Sequence, residues 1–132
     1  MPTFVKNAFE NFKINIIGGQ QAFSWLDVED ATEAIVMLLN ISMDYWKTVY
    51  NVSLNNANYN IVDIANIVVK RMKERFNKDV EISIKKDDSN FRISIDSSLF
   101  ISDTGWQPKR SLEYTIDKVI DEYLKNYKNN II

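Results

Sequence analysis

Cysteine and histidine are both absent from the 132 residues. No thiolate or imidazole nucleophile, no serine-histidine relay and no ordinary zinc site can therefore be assembled from this chain. Nothing in it demands an oxidising compartment either. Carboxylates, Lys, Arg, Tyr, Ser and Thr are the groups left to do chemistry. One spacing among them stands out: Tyr114-Thr115-Ile116-Asp117-Lys118 sets a phenol and an ammonium four residues apart, on one face of a helix. A helix rich in Tyr and Lys produces that spacing without any catalytic meaning. Glu29 and Asp30 are adjacent, and helical neighbours point to different faces, so they offer no paired acid. Asp30 and Asp96 each lie at the start of a helical stretch and read as caps. Lys85, Lys86 and Arg92 form a loose cationic group beside Asp87 and Asp88, the composition of a solvated strand face. Trp25 and Trp106 read as packing anchors.

These groups must be positioned by one compact unit. A chain of this length buries roughly two thirds of its unfolded surface, enough for one core. A composition 45% hydrophobic and 26% charged excludes wholesale disorder. The net charge of -2 with scattered basic residues leaves no sustained positive field, so nucleic-acid binding is not expected. Apolar runs such as Ala34 to Leu39 fall far short of the roughly 20 residues that span a bilayer, and no signal-peptide pattern opens the sequence. No membrane association and a cytoplasmic location are expected.

Periodicity gives the elements. Phe4, Val5, Ala8, Phe9 and Phe12 follow helical spacing after Pro2. Ile14 to Ile17 reads as a strand ended by Gly18-Gly19, and Phe23 to Leu26 as a second. Asp27 caps a helix with Val28, Ala31, Ala34, Ile35, Leu38 and Leu39 on one face, which should be well buried. Thr48 to Ser53, rich in β-branched and aromatic residues, reads as a strand. Asn60 and Asp63 form a capping box opening a long helix with the stripe Ile61, Ile64, Ala65, Val68 and Met72. Val80 to Lys85 and Phe91 to Ile95 alternate as half-exposed strands. Asp96 caps a short helix stopped by Gly105 and Pro108, and Ser111 opens a last helix through Leu112, Ile116, Ile120, Tyr123 and Tyr127. The expectation is a single α+β domain over 1–132, small and mixed, of about four helices with short strands.

Phe23-Ser24-Trp25-Leu26-Asp27-Val28-Glu29-Asp30-Ala31, then Val49-Tyr50-Asn51-Val52, then Asp96 with Gly105-Trp106-Gln107-Pro108, occur in that order. Together they resemble the carboxy-terminal, substrate-binding part of the extended short-chain dehydrogenase/reductases, the NAD-dependent epimerase/dehydratase family that includes UDP-galactose 4-epimerase. That family shows an aromatic-rich strand leading into V-D-D, then Y-N-V, then L-G-W-x-P, and the match runs over nearly the whole chain.

The resemblance implies a division of labour. Family members bind NAD through a glycine-rich first turn of a Rossmann domain, and a sequence with three glycines, at 18, 19 and 105, has no such loop. NAD thus belongs to the parent enzyme, no cofactor is expected in this chain, and the N-terminal Rossmann domain is the missing partner. The family's catalytic Tyr-x-x-x-Lys pair, in which Lys and cofactor lower the phenol pKa, precedes the V-D-D element. Tyr114 and Lys118 follow it, so no catalytic residue is expected here. What remains is nucleotide-sugar binding: the base-contacting positions fall at Asn15 and Ile17, and one phosphate-binding arginine falls near Lys86, with Arg92 as a substitute. The other falls at Phe23, an outright departure that removes a charge. Three readings follow. The chain is the substrate-binding domain of such an isomerase or lyase, not catalytic by itself; or a non-catalytic interaction module that kept the fold and self-associates, for example as a homodimer; or part of a related NAD(P)-dependent reductase.

Overall fold

The computed structural model of the chain describes residues 1–54, 58–88 and 90–129. In chain order its elements are α1 (Pro2–Glu10), β1 (Lys13–Ile17), β2 (Ala22–Ser24), α2 (Val28–Leu39), a 3-10 turn (Met43–Tyr45), β3 (Asn58–Asn60), α3 (Ile61–Phe76), β4 (Glu81–Lys85), β5 (Arg92–Ile93), α4 (Ser98–Thr104) and α5 (Leu112–Asn129). The α+β class is as expected, with five α-helices among the described residues rather than about four.

Two small sheets organise it. β1 pairs in parallel with β4, Ile14 opposite Ile82 and Ile16 opposite Ile84. Ile14 and Ile16 are buried, and the alternate residues Asn15 and Ile17 are exposed, as the period of two requires. β2 lies between β3, antiparallel to it, and β5, parallel to it. Helices α1, α3 and α5 close the main core with Val5, Ala8, Ala65, Val68, Met72, Leu112, Ile116 and Ile120. The capping box starting α3 is present, with the Asp63 N–H donating to Asn60 Oδ1 at 2.8 Å and the Asn60 N–H to Asp63 Oδ2 at 3.0 Å. The side chain of Tyr127, expected on the inner stripe of α5, lies outside the described residues. Among the described residues no helix is long and apolar enough to cross a membrane.

A second, smaller core joins α2 to α4 through Ala34, Phe100 and Trp106. Gly105 ends α4 in the left-handed region at φ +72°, a conformation that glycine adopts freely.

Four local expectations are corrected. The apolar face of α2 is not well buried: Val28 is 75% exposed, Ile35 61% and Leu39 66%. Only Asp30 and Ala34 of this helix are buried, because α4 and Trp106 cover one side and nothing described covers the other. Thr48 to Ser53 is not a strand. Among the described residues its β propensity finds no neighbouring strand, and the N–H groups of Ser53 and Leu54 go to Ser97 Oγ and the Trp25 carbonyl instead. The expected strand Phe91 to Ile95 shortens to Arg92–Ile93, because its partner β2 is only three residues long. Asp96 does not occupy the cap position of α4, which is Ser97; its carboxylate accepts from the N–H of Ser98, two residues on, at 2.9 Å.

Candidate functional site

The exposed residues of β1 meet those of β4. Parallel register sets Asn15 opposite Ser83 and Ile17 opposite Lys85, and directly opposed residues share a face. Lys86 follows Lys85 where the strand ends. The Gly18 N–H donates to the Lys85 carbonyl at 2.9 Å, which fixes the β1 terminus against that end. Of the residues singled out from sequence, Asn15 and Ile17 are thus carried by β1, and Lys86 follows directly on the end of its partner β4. Arg92 is carried by the other sheet, opposite Ala22. Among the described residues Lys85, Lys86 and Arg92 make no ion pair, so Asp87 and Asp88 do not neutralise them by direct contact.

The turn between β1 and β2 joins the sheets. Gly18 and Gly19 have φ +72° and +99°, and the Gly19 N–H donates to Gln21 Oε1 at 2.8 Å. A Cβ at Gly19 would lie 2.6 Å from Val62 Cγ2, so here glycine answers to packing as well as to φ. The turn leads into a strand rather than a helix start, and Val62 fills the space over it. It does not fit the pyrophosphate cradle of a dinucleotide.

Phe23, which the resemblance sets where the family carries an arginine, is half-exposed. Its ring stands edge-to-face with Phe91, centroids 5.5 Å apart and planes at 85°. Phe23 lies opposite Ile93, and Arg92 lies opposite Ala22, so alternation directs the Arg92 side chain to the other face of the sheet. Arg92, the substitute for the arginine expected near Lys86, is thus carried by a different sheet from the β4 end that Lys86 follows.

Elsewhere the charged groups hold structure. Glu29 and Asp30, expected to diverge, converge on one guanidinium: Arg110 Nε donates to Glu29 at 2.8 Å, Nη1 to Asp30 at 2.5 Å and Nη2 to Glu33 at 2.9 Å. Adjacent acids can both reach a long side chain arriving from the loop that precedes α5. Asp30 is no cap; that role falls to Asp27, whose Oδ1 accepts from the Glu29 N–H at 2.8 Å. The Glu33 carboxyl is held below its ordinary pKa by Lys109 and Arg110.

Tyr114 and Lys118 lie exposed on α5. The phenol donates to Glu29 at 3.2 Å, and the Lys118 ammonium sits 5.3 Å from the Tyr114 ring centroid and 3.6 Å from Glu29. Hydrogen bonding to Tyr114 raises the lysine pKa, which keeps the amine protonated rather than making it a base. Lys118, with Glu29, lines an open cleft of about 650 Å³ between the start of α2 and α5. Trp106 is buried against Phe100, centroids 5.6 Å apart, and Trp25 is half-buried against the main core, so both pack as expected. Among the described residues no cluster of acidic side chains is placed to hold a metal ion.

No protein-family model matches the chain. It is 26% identical over 133 residues to dTDP-glucose 4,6-dehydratase of Shigella flexneri, covering 96% of this chain and 36% of the relative. It is 26% identical over 140 residues to the Salmonella typhimurium dehydratase, covering 99% and 38%. Among solved structures, dTDP-glucose 4,6-dehydratase of Bacillus anthracis in complex with NAD superposes with a TM-score of 0.76 at 25% identity, over 96% of this chain and 39% of that one. UDP-glucuronic acid 4-epimerase of Bacillus cereus, in complex with UDP-glucuronic acid and NAD, shares the fold at a TM-score of 0.74 and 19% identity, over 94% and 38%. The chain spans little more than a third of the curated relatives it matches.

Proposed function

Because this chain corresponds in sequence and fold to the carboxy-terminal part of the NAD-dependent epimerase/dehydratases, we propose that it is the substrate-binding portion of an enzyme acting on a nucleotide-linked sugar. The observation that carries the reading is the shared end of β1 and β4, where Asn15 and Ile17 stand exposed next to Lys85 and Lys86, two cations free of ion pairs among the described residues. Edge groups of the base would meet Asn15 and Ile17, and a phosphate the lysines, because charge-assisted hydrogen bonds are strong when partly shielded from water. Lysine supplies charge without the bidentate fork of arginine.

Hydride transfer to and from NAD would be the work of a Rossmann half outside these 132 residues, together with its Tyr-Lys pair. The exposed apolar residues of α2 and the unpaired extended segment beside Val49 are the surface such a half would cover. Isothermal calorimetry of the chain with dTDP-glucose, UDP-glucose and GDP-mannose tests the substrate claim. Binding at micromolar to low millimolar concentration, weakened at least tenfold by Lys86→Ala, supports it; no heat with any of them at millimolar concentration refutes it.

A second reading, an interaction module that kept the fold and lost the ligand, draws on Phe23 in place of an arginine and on the same α2 face. Its sign is self-association through α2 with no nucleotide bound.

A further inference from the structure

The outer face of the β1–β4 pair is a ladder of three rungs that differ in chemistry. Lys13 stands opposite Glu81, Asn15 opposite Ser83 and Ile17 opposite Lys85, and successive rungs lie about 6.6 Å apart. The first rung is closed on itself, because the Lys13 ammonium meets Glu81 at 3.0 Å. On this ladder, cations without an ion pair among the described residues stand only at the far end, where Lys86 follows Lys85. A phosphate is drawn to that end, and whatever is attached to it runs back along the ladder. The middle rung is polar and uncharged. Asn15 is exposed and Ser83 half-buried, and among the described residues neither side chain hydrogen-bonds to the protein.

We infer that Ser83 is a second base-reading residue beside Asn15, and that the pair selects nucleobases presenting three polar groups on one edge. The inference rests on the nucleotide reading above, and it leaves the phosphate with Lys85 and Lys86. The Asn15 amide offers an acceptor and a donor side by side, which matches two adjacent groups on the Watson–Crick edge of any base. The Ser83 hydroxyl donates or accepts, and so serves the third group. That group is the second carbonyl of thymine or uracil, or the amino group of guanine. Adenine carries a C–H there, so an adenine nucleotide gains nothing from Ser83.

The test is calorimetric titration of the 132-residue chain with dTDP-glucose, UDP-glucose and ADP-glucose, repeated on Ser83→Ala, Ser83→Thr and Lys86→Ala. The expected result is that Ser83→Ala weakens dTDP-glucose and UDP-glucose by about fivefold, the loss of one neutral hydrogen bond. ADP-glucose binds the parent chain about fivefold more weakly than dTDP-glucose does, and is indifferent to Ser83→Ala. Ser83→Thr, which keeps the hydroxyl, matches the parent, and Lys86→Ala weakens all three ligands alike. Unchanged binding of dTDP-glucose by Ser83→Ala, with Lys86→Ala still weakening it, overturns this inference and leaves the nucleotide reading standing. Equal losses for ADP-glucose and dTDP-glucose overturn it too, because Ser83 would then act through the strand and not through the base. Failure of all three ligands to bind the parent chain removes both.

Discussion

Asp30 and Arg110 are bound across the fold: the fully buried Asp30 carboxylate accepts from Arg110 Nη1 at 2.5 Å, from the Arg110 N–H at 3.0 Å and from the Lys109 N–H at 3.2 Å. One acid in the first turn of α2 thereby fixes the loop that leads from Trp106 into α5. Removing it would orphan two backbone donors and part of a guanidinium away from water. Asp30→Ala should destabilise the chain by about 3–5 kcal/mol, read as a loss of urea midpoint with the slope unchanged. Asp30→Asn, which keeps one acceptor, should cost less. A loss no larger than that of an exposed-site control would mean that the cluster is ornamental.

Asp117 joins α5 to α3, bonded to Arg71 and to Arg75 Nη1 at 3.2 Å. Hydrogen bonding to Arg71, then its charge, holds the carboxyl below the ordinary aspartate range. The sign follows: stability from this group is complete above the unfolded value of about 3.9 and is lost as pH falls through the lower folded value. Denaturation profiles from pH 7 to pH 2 should show Asp117→Asn less stable by about 1–3 kcal/mol at neutrality, with that deficit shrinking at the acid end. A deficit that stays constant with pH would contradict the assignment.

Gly19 is held by two constraints, φ +99° and the 2.6 Å approach of Val62. Gly19→Ala must meet both, so calorimetric melting should show a loss of at least 1–2 kcal/mol, roughly the cost of the left-handed region for an L residue. Gly105→Ala shares the positive φ but meets no atom within 4 Å. It should cost less, and equal costs would show that the contact with Val62 is easily relaxed.

The exposed stripe of α2 gives a prediction about association. Ile35→Glu with Leu39→Glu should reduce any concentration-dependent sedimentation of the chain while leaving its melting within about 0.5 kcal/mol of the parent. Association that persists unchanged in the double variant would place the sticky surface elsewhere.

What the sequence made legible follows physical strength. The capping box of Asn60 and Asp63, the stripes of α3 and α5 and the Ile14–Ile16 alternation were readable because local chemistry and burial agree there. The α2 face and Thr48 to Ser53 misled for one reason: their apolar and β-branched residues report a need for cover, and periodicity cannot say whether the cover lies in the same 132 residues. The convergence of Glu29 and Asp30 on Arg110 was invisible because the partner lies 80 positions away. The pairing of Phe23 with Phe91 was hidden likewise, depending on a parallel register between two very short strands. Asn15, Ile17, Lys86 and Arg92 came from a resemblance; Asn15 and Ile17 lie on β1 and Lys86 just past its partner β4, whereas Arg92 lies on the other sheet.

The substrate-binding claim is tested most directly by following the backbone amide signals of the chain during titration with dTDP-glucose. The account predicts saturable shifts centred on Asn15, Ile17, Phe23 and Lys86, with the Tyr114 and Lys118 signals unmoved. Shifts centred on the cleft beside Lys118, or none at millimolar ligand, would contradict it.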